Sequence, residues 1–160
     1  MLFRSRNKLA AVIFVDPVTD ALRVCHPSFL DFVETPSRSQ EFWTNPEVLD
    51  TTMAQRCLAI MIAGLKFNIC GLESSRQRND EIPDLKQRIP EELQYSAVYW
   101  LDHLSRSIGS SNDGKLKVAY GFLYHARLFY WLEILSVVSE INAAVQILRK
   151  LVVMSKVGVH

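Results

Sequence analysis

The spacing of hydrophobic residues changes about 35 residues into the chain. Before that point, the β-branched run LAAVIFV at residues 9–15 is followed by DPVTD and then by the alternating run LRVCH at 22–26. Two short apolar runs joined by a proline-containing polar turn predict a β-hairpin. The segment PSFLDFV that follows begins with proline and contains four large apolar side chains, which predicts a short helix. A hairpin and one helix cannot bury a core alone, so we predict that residues 1–40 either pack on the rest of the chain or are the end of a domain whose beginning is absent.

The segment TPSRSQEFWTN at 35–45 is rich in turn formers and is predicted to be a polar connection. After it, apolar residues recur every three or four positions, as they do on one face of a helix. Asn45, Pro46 and Glu47 suit the cap, first and second positions of a helix that we predict to run to about Phe67. Gly71 lies where this helix is expected to stop. Its predicted buried face consists of Ala54, Cys57, Leu58, Met61 and Leu65.

A polar loop, ESSRQRNDEIPD, with a short helical turn from Pro83 to Arg88, precedes the clearest helix start. Pro90 and two glutamates open this helix, where the helix dipole favours negative charge. The segment SIGSSNDGK at 107–115 ends it. Its predicted buried stripe is Leu93, Ala97, Trp100, Leu101 and Leu104.

The remaining pattern, Leu116 to Met154, is helical throughout and too long for one helix, so we predict breaks near Ala126 and at 139–142. Asn142 is the predicted cap of the last helix, whose buried face is Ala144, Ile147, Leu148 and Leu151. The predicted fold class is therefore mainly α. Residues 41–160 form a helical domain, either a multi-helix bundle or a short helical-repeat array, preceded by the hairpin.

One internal similarity bears on that choice. YWLDHLS at 99–105 and YWLEILS at 130–136 match in pattern at a displacement of 31 residues, which is typical of stacked helical pairs. Two copies do not establish a repeat array, and a bundle that reuses an aromatic anchor is the favoured explanation of the match. Trp100 and Trp131 are then core anchors or parts of an interaction surface, and Glu133 either faces solvent or pairs with Arg127 or another cation.

The composition excludes several classes of protein. Hydrophobic residues make up 49% and charged residues 22%, which argues against disorder. The net charge of +1 gives no long-range attraction to nucleic acid or anionic lipid. The longest near-apolar run, 57–65, is about half of the roughly 20 residues that a membrane helix needs, and we recognise no signal peptide. Three cysteines without a CxxC pair suit free thiols. We expect a cytoplasmic protein without membrane or nucleic-acid partners.

Motifs for nucleotide, zinc and acyl chemistry are missing from the sequence: GxxxxGK[ST], GxGxxG, HExxH and GxSxG do not occur. Asp102, His103 and Ser105 supply the residue types of a hydrolytic triad, but near neighbours on a helix point in different directions. The histidines and cysteines lack zinc-finger spacing. We predict no catalytic residue, metal site or cofactor. The histidines are His26, His103, His125 and His160.

Four segments, taken in order, resemble the region after the nucleotide-binding core of fungal NACHT-type, NLR-like proteins of the STAND class. They are HPSFLDF at 26–32, TMAQRCLAIMIAGLKFNICGL at 52–72, IPEELQYSAVYWLDHLS at 89–105 and FLYHARLFYWLEILSVVSEINAAVQILRKL at 122–151. The resemblance covers about residues 10–152. It implies that residues 1–40 are the end of a winged-helix subdomain and that the helices form an arm leading to C-terminal repeats.

The resemblance also implies a role for His26, because a histidine in a similar FxHxSFQEF context contacts the ADP phosphate in such proteins. Here that contact requires an attached NTPase domain, since this chain lacks the phosphate loop and the Mg-binding acidic strand; a strand end and helix start is the plainer interpretation of His26. The tail SKVGVH looks like a truncated end.

We therefore expect a non-catalytic scaffold or regulatory segment of an NLR-like signalling NTPase. Its partner is the NACHT domain, in cis or in trans, or a second copy of the chain. The alternatives are a stand-alone adaptor or decoy that binds a partner helix or peptide, a DNA-binding winged helix using Arg4, Arg6 and Lys8, and an unrecognised hydrolase.

Overall fold

The structure is a computed structural model that describes residues 13–17, 22–74, 76, 78–107 and 112–157. Within these ranges it contains one two-stranded antiparallel sheet near the N-terminus and seven α-helices. The predicted fold class, mainly α with an N-terminal hairpin, is confirmed. Internal contacts divide the chain between Pro46 and Glu47 into two compact units. The interpretation of residues 1–40 as the end of a winged helix stays a prediction.

The N-terminal unit begins with the hairpin. Strand β1 (Ile13–Val15) pairs with β2 (Leu22–Val24), and Phe14 lies opposite Arg23. Residues 9–12 of the predicted first strand and 18–20 of the predicted turn lie outside the described residues. The predicted short helix is present as α1 (Ser28–Glu34).

The segment predicted as a polar connection is more ordered than expected. It contains α2 (Pro36–Ser39) and a 3₁₀ turn (Gln40–Phe42). Pro36 occupies the first helical position, where its missing N–H costs no hydrogen bond. The buried Ser39 hydroxyl donates to the carbonyl of Thr35 at 3.1 Å, which links the last residue of α2 to the residue just before the helix.

The helical unit contains five longer helices. The polar loop that follows Leu72 holds two 3₁₀ turns, Asn79–Glu81 and Lys86–Arg88. The helices are α3 (Pro46–Gly64), α4 (Glu91–Arg106), α5 (Asn112–Leu123), α6 (Arg127–Val137) and α7 (Ile141–Val157).

The core of this unit is built around two tryptophans. Trp100 on α4 and Trp131 on α6 are both fully buried, and their rings meet edge to face at 6.3 Å. Phe122 on α5 packs on Trp100 at 5.1 Å. The predicted α4 stripe is buried at all five positions, which confirms it as a core face. The core interpretation of both tryptophans is therefore correct.

Two helix ends differ from expectation. Helix α3 stops at Gly64, about three residues before the predicted end near Phe67 and seven residues before Gly71. Helices α3 and α4 approach closely at this point, since a Cβ added at Gly64 would lie 3.0 Å from Leu93 Cδ2. Asn142 is not a cap, since α7 already begins at Ile141. Ser139 takes a left-handed φ of 62°, and the Glu140 N–H donates to the Leu135 carbonyl at 2.8 Å, which completes the reversal before Asn142.

The predicted breaks elsewhere are present, with one adjustment. Helices α5 and α6 separate at 124–126, where His125 has a left-handed φ of 59°. In the predicted break at 107–115, residues 108–111 lie outside the described part, while α5 already begins at Asn112. The glycine in NDGK therefore lies inside a helix.

The 31-residue displacement has a counterpart in the packing. Adding 31 to the residue numbers places most of α4 on α6 and all of α5 within α7. In the structure α4 contacts α6, and α5 contacts α7. In stacked helical repeats, the equivalent helices of neighbouring pairs also contact each other. The same contacts place both tryptophans in one shared core, as a bundle does.

Candidate functional site

A group of hydrogen-bonded polar side chains joins the start of α3 to α4. We call Asp50, Tyr95, His103 and Arg106 the His103 cluster. Asp50 Oδ1 lies 2.6 Å from His103 Nδ1, and His103 Nε2 lies 2.9 Å from the Tyr95 hydroxyl. Arg106 donates from Nε and from an Nη to the two Asp50 oxygens at 2.9 and 3.1 Å.

The helical spacing of α4 explains how three of these residues meet. Positions 95, 99, 103 and 106 follow each other at intervals of four, four and three, so they share one face of the helix. Asp50 reaches that face from the second turn of α3, and only about one seventh of its side chain is exposed. The cluster therefore ties two helices that are distant in sequence.

The positions of the protons in the cluster can be assigned from the group that can only accept hydrogen bonds, the Asp50 carboxylate. Because the Asp50 carboxylate accepts, the neutral imidazole of His103 carries its proton on Nδ1, and Nε2 accepts from the Tyr95 O–H. The chain of groups thus has the order phenol, imidazole, carboxylate, which is the order of a proton relay.

Two features oppose a catalytic relay. The Arg106 hydrogen bonds, with a smaller contribution from His103, hold the pKa of Asp50 below its ordinary value despite partial burial. A carboxylate that also pairs with a guanidinium stabilises a neighbouring imidazolium less. Burial raises the pKa of Tyr95, so its phenol is not activated as a nucleophile. The geometry therefore favours a structural link between α3 and α4 over a nucleophile paired with its base.

The triad considered from sequence does not assemble. Asp102 accepts from Lys150 Nζ at 2.8 Å, and the Ser105 hydroxyl donates to the Asp102 carbonyl oxygen of its own helix. His103 turns instead to Asp50 and Tyr95. The side chains point in different directions, as the helical geometry predicted.

His26 lies in the N-terminal unit, exposed, between β2 and α1. Its Nδ1 is 3.1 Å from the backbone N of Ser28 and 2.8 Å from the Ser28 hydroxyl oxygen. Because a backbone N–H can only donate, Nδ1 accepts, and the proton of the neutral ring is on Nε2. His26 therefore presents Nε2–H as a donor just before a helix.

The residues considered as metal ligands stay apart. No group of three or more histidine, cysteine or acidic side chains with metal-binding geometry occurs within the described ranges. Cys25 is exposed, whereas Cys57 and Cys70 are buried free thiols whose pKa values are raised by burial. His160 lies outside the described residues.

Glu133 has a structural role that neither sequence interpretation named. Its two carboxylate oxygens accept from the backbone N–H groups of Asn68 and Ile69 at 3.2 and 3.0 Å. Asn68 has a left-handed φ of 50°, and its side chain bonds both backbone groups of Leu72. Glu133 thus fixes the turn that follows α3 onto α6.

A second candidate site is an apolar groove between α5 and α7 together with the adjoining outer face of α7. We call it the α5–α7 surface. The groove and the outer face share Leu148 and Val152, so the apolar surface is continuous. Its lining residues are Tyr120, Leu123, Tyr124, Leu128, Val145, Leu148, Arg149, Leu151, Val152 and Val153.

The sequence contained a signal for this surface that the prediction of a single buried face missed. Ile141, Val145, Leu148 and Val152 recur at four, three and four residues, and all are exposed. Leu148 was predicted to be buried, but 41% of it is accessible, because the core-facing side of α7 is formed by Ala144, Ile147 and Leu151. Helix α7 is therefore apolar on two sides.

No protein-family model, curated protein or solved structure matches this chain. The resemblance to NACHT-type proteins therefore depends on the four sequence segments. None of the helices in the described part is both long enough and apolar enough to cross a membrane.

Proposed function

We propose that this chain is a non-catalytic helical scaffold or regulatory segment of an NLR-like signalling NTPase, acting by packing against other protein surfaces. Its partner is the NACHT NTPase domain, in cis or in trans. The proposal includes a cytoplasmic location. It also includes the absence of enzymatic activity, because the phosphate-binding motif is missing and the His103 cluster lacks an activated nucleophile.

The α5–α7 surface is the observation that carries this proposal. Large aliphatic residues stay exposed on α7, although the same helix buries a complete second face in the core. Contiguous apolar surface costs solvation free energy unless a partner covers it, and it commonly marks a protein-interaction site. Helix α7 is suited to contact the core and a partner at the same time.

His26 supports the NTPase context. Its Nε2–H donor is fixed by the Ser28 contacts at Nδ1, so the ring is oriented before any ligand arrives. A donor held in this way suits a phosphate oxygen, which is the role that the resemblance implies. The phosphate would have to come with a nucleotide bound by another domain.

Reconstitution tests this proposal. The full chain would be mixed with the separately expressed NTPase domain of a fungal NACHT-type protein, and association and ADP release would be measured. We expect a complex, and we expect His26→Asn to release ADP about tenfold faster, the value of one charge-assisted hydrogen bond. His125→Asn, at another exposed histidine, is the matched control and should leave release unchanged.

Calorimetry tests whether the chain binds nucleotide by itself. The chain alone should show no heat of binding with ATP or ADP. Tight ATP binding by these 160 residues, or failure to associate with any NACHT domain tested, would contradict the proposal.

The second candidate, a stand-alone adaptor that binds a partner helix, is favoured by the same surface. It differs in its partner: an adaptor would bind its target with no NTPase domain present. Recovery of only NLR-like proteins in pull-downs would count against it.

A further inference from the structure

The exposed stripe on α7 has the spacing of a helix-pairing seam. Ile141, Val145, Leu148 and Val152 alternate steps of four and three residues, as the a and d positions of a heptad do. Each of these side chains is between 41% and 51% exposed. A helix is the secondary structure whose side chains interlock with such a seam.

The seam has two different walls. On one side, Tyr120 of α5 and Tyr124, the residue after α5, line the groove next to Leu148 and Val152. On the other side, Arg149 lines the outer part of the surface, and Lys156 follows it by seven residues, so both lie on the same flank of α7. The groove thus has a tyrosine wall and a basic wall.

The charged residues within α7 have one sign, and Glu140 lies just before the helix begins. Helix α7 contains three cations, Arg149, Lys150 and Lys156, and its sequence INAAVQILRKLVVMSKV has no carboxylate. Lys150 is paired with Asp102, but Arg149 and Lys156 have no carboxylate partner among the described residues. Exposed Lys117 precedes Tyr120 by one helical turn on α5. A partner covering the seam would bring its own flanks close to this positive charge.

We infer that the α5–α7 surface binds an amphipathic helix whose apolar face is flanked by glutamate or aspartate. This inference rests on the proposed packing function and specifies the chemistry of the partner. A second copy of α7 fits poorly, because it would set three further cations against these and would offer no carboxylate from within the helix. Acidic flanks would pair with the basic wall, and the tyrosine hydroxyls could donate to further carboxylates.

Two designed peptides test the inference against the full chain. The acidic peptide has three heptads with leucine at a and d and glutamate at e and g; its twin has lysine at e and g. Fluorescence anisotropy would measure both dissociation constants at low and high salt. We expect the acidic peptide to bind at least tenfold more tightly at low salt, with the preference shrinking at high salt.

Two surface variants locate the binding. Arg149→Glu should weaken the acidic peptide about fivefold and strengthen the lysine twin by a similar factor. Leu148→Asp should weaken both at least tenfold by placing a charge in the seam. The matched controls are Lys66→Glu and Ile62→Asp, exposed positions on or just after α3, which should change neither constant. Circular dichroism of each variant would confirm an unchanged fold.

The outcomes separate this inference from the proposed function. Equal affinity for the two peptides, or no effect of Arg149→Glu, would overturn the charge selection while leaving the packing role intact. Sedimentation showing a dimer that Leu148→Asp converts to monomer would replace the acidic helix by a second copy. Selective binding of the acidic peptide without any association with NACHT domains would instead contradict the proposed function alone.

Discussion

The two core tryptophans provide a controlled comparison of a paired and an unpaired buried N–H. Both side chains are fully buried. Trp131 Nε1 donates to the Ala97 carbonyl at 2.8 Å, whereas Trp100 Nε1 has no hydrogen-bond partner among the described residues. Replacing each indole by phenylalanine removes nearly the same volume and apolar area. The difference between the two costs therefore isolates the hydrogen bond.

The expected values follow from this difference. Loss of part of a buried ring costs about 2 kcal/mol at either site, from transfer and cavity terms together. Trp131→Phe also loses a hydrogen bond worth about 1 kcal/mol, which gives about 3 kcal/mol. Trp100→Phe removes a donor whose unpaired burial costs about 1 kcal/mol or more, which leaves about 1 kcal/mol. We expect the two variants to differ by about 2 kcal/mol.

Urea unfolding followed by far-ultraviolet circular dichroism measures these costs without depending on tryptophan emission. Trp43→Phe, at a partly exposed position, is the control and should stay within about 0.5 kcal/mol of the wild type. Equal costs at 100 and 131, with unchanged m-values, would refute the reasoning, because the unpaired N–H would then carry no penalty.

Further predictions concern the polar contacts of the helical unit and its thiols. Asp50→Asn should cost about 2 kcal/mol by weakening charge-assisted bonds, whereas Asp80→Asn, in an exposed pair, should cost under about 0.5 kcal/mol by the same urea assay. Because the folded pKa of Asp50 is depressed, its contribution is complete above the ordinary value of 3.8 and is lost as pH falls through the folded pKa; a wild-type advantage that grows with acid would contradict this. Glu133→Gln should cost about 1 kcal/mol and speed proteolysis near residue 68, with Glu140→Gln as an inert control. A thiol reagent should label Cys25 quickly and the two buried thiols only after unfolding; rapid labelling of all three would oppose the described burial.

Local patterns predicted most of the helical unit because each core helix is amphipathic in its own sequence. The α4 stripe around Trp100 has regular three- and four-residue spacing, and its buried face follows from that spacing alone. The breaks near residues 126 and 139 follow from a change in the apolar pattern. Long-range contacts are not needed to predict such features.

The errors arose where distant residues decide the local structure. After Gly64 the chain leaves the helix and forms a turn whose Asn68 and Ile69 N–H groups donate to Glu133, 65 and 64 residues away. The sequence predicted one apolar face for α7, but the helix has two apolar sides. Only the packing shows which of the two sides is buried in the core. Asp50 was not singled out, since a single carboxylate on a polar helix face has no local pattern that predicts a distant histidine.

Asp50 lies close to the end of the helical unit at which α3 begins. Their boundary falls at Pro46 and Glu47, in the first turn of α3, and the first fully buried residue of that helix is Ala54. The Asp50 bonds to His103 and Arg106 join the intervening turns to α4. If they were broken, residues 47–53 could fray, and seven residues of released chain would span up to about 25 Å when extended. A single carboxylate therefore sets how much of the start of α3 stays attached to the helical unit.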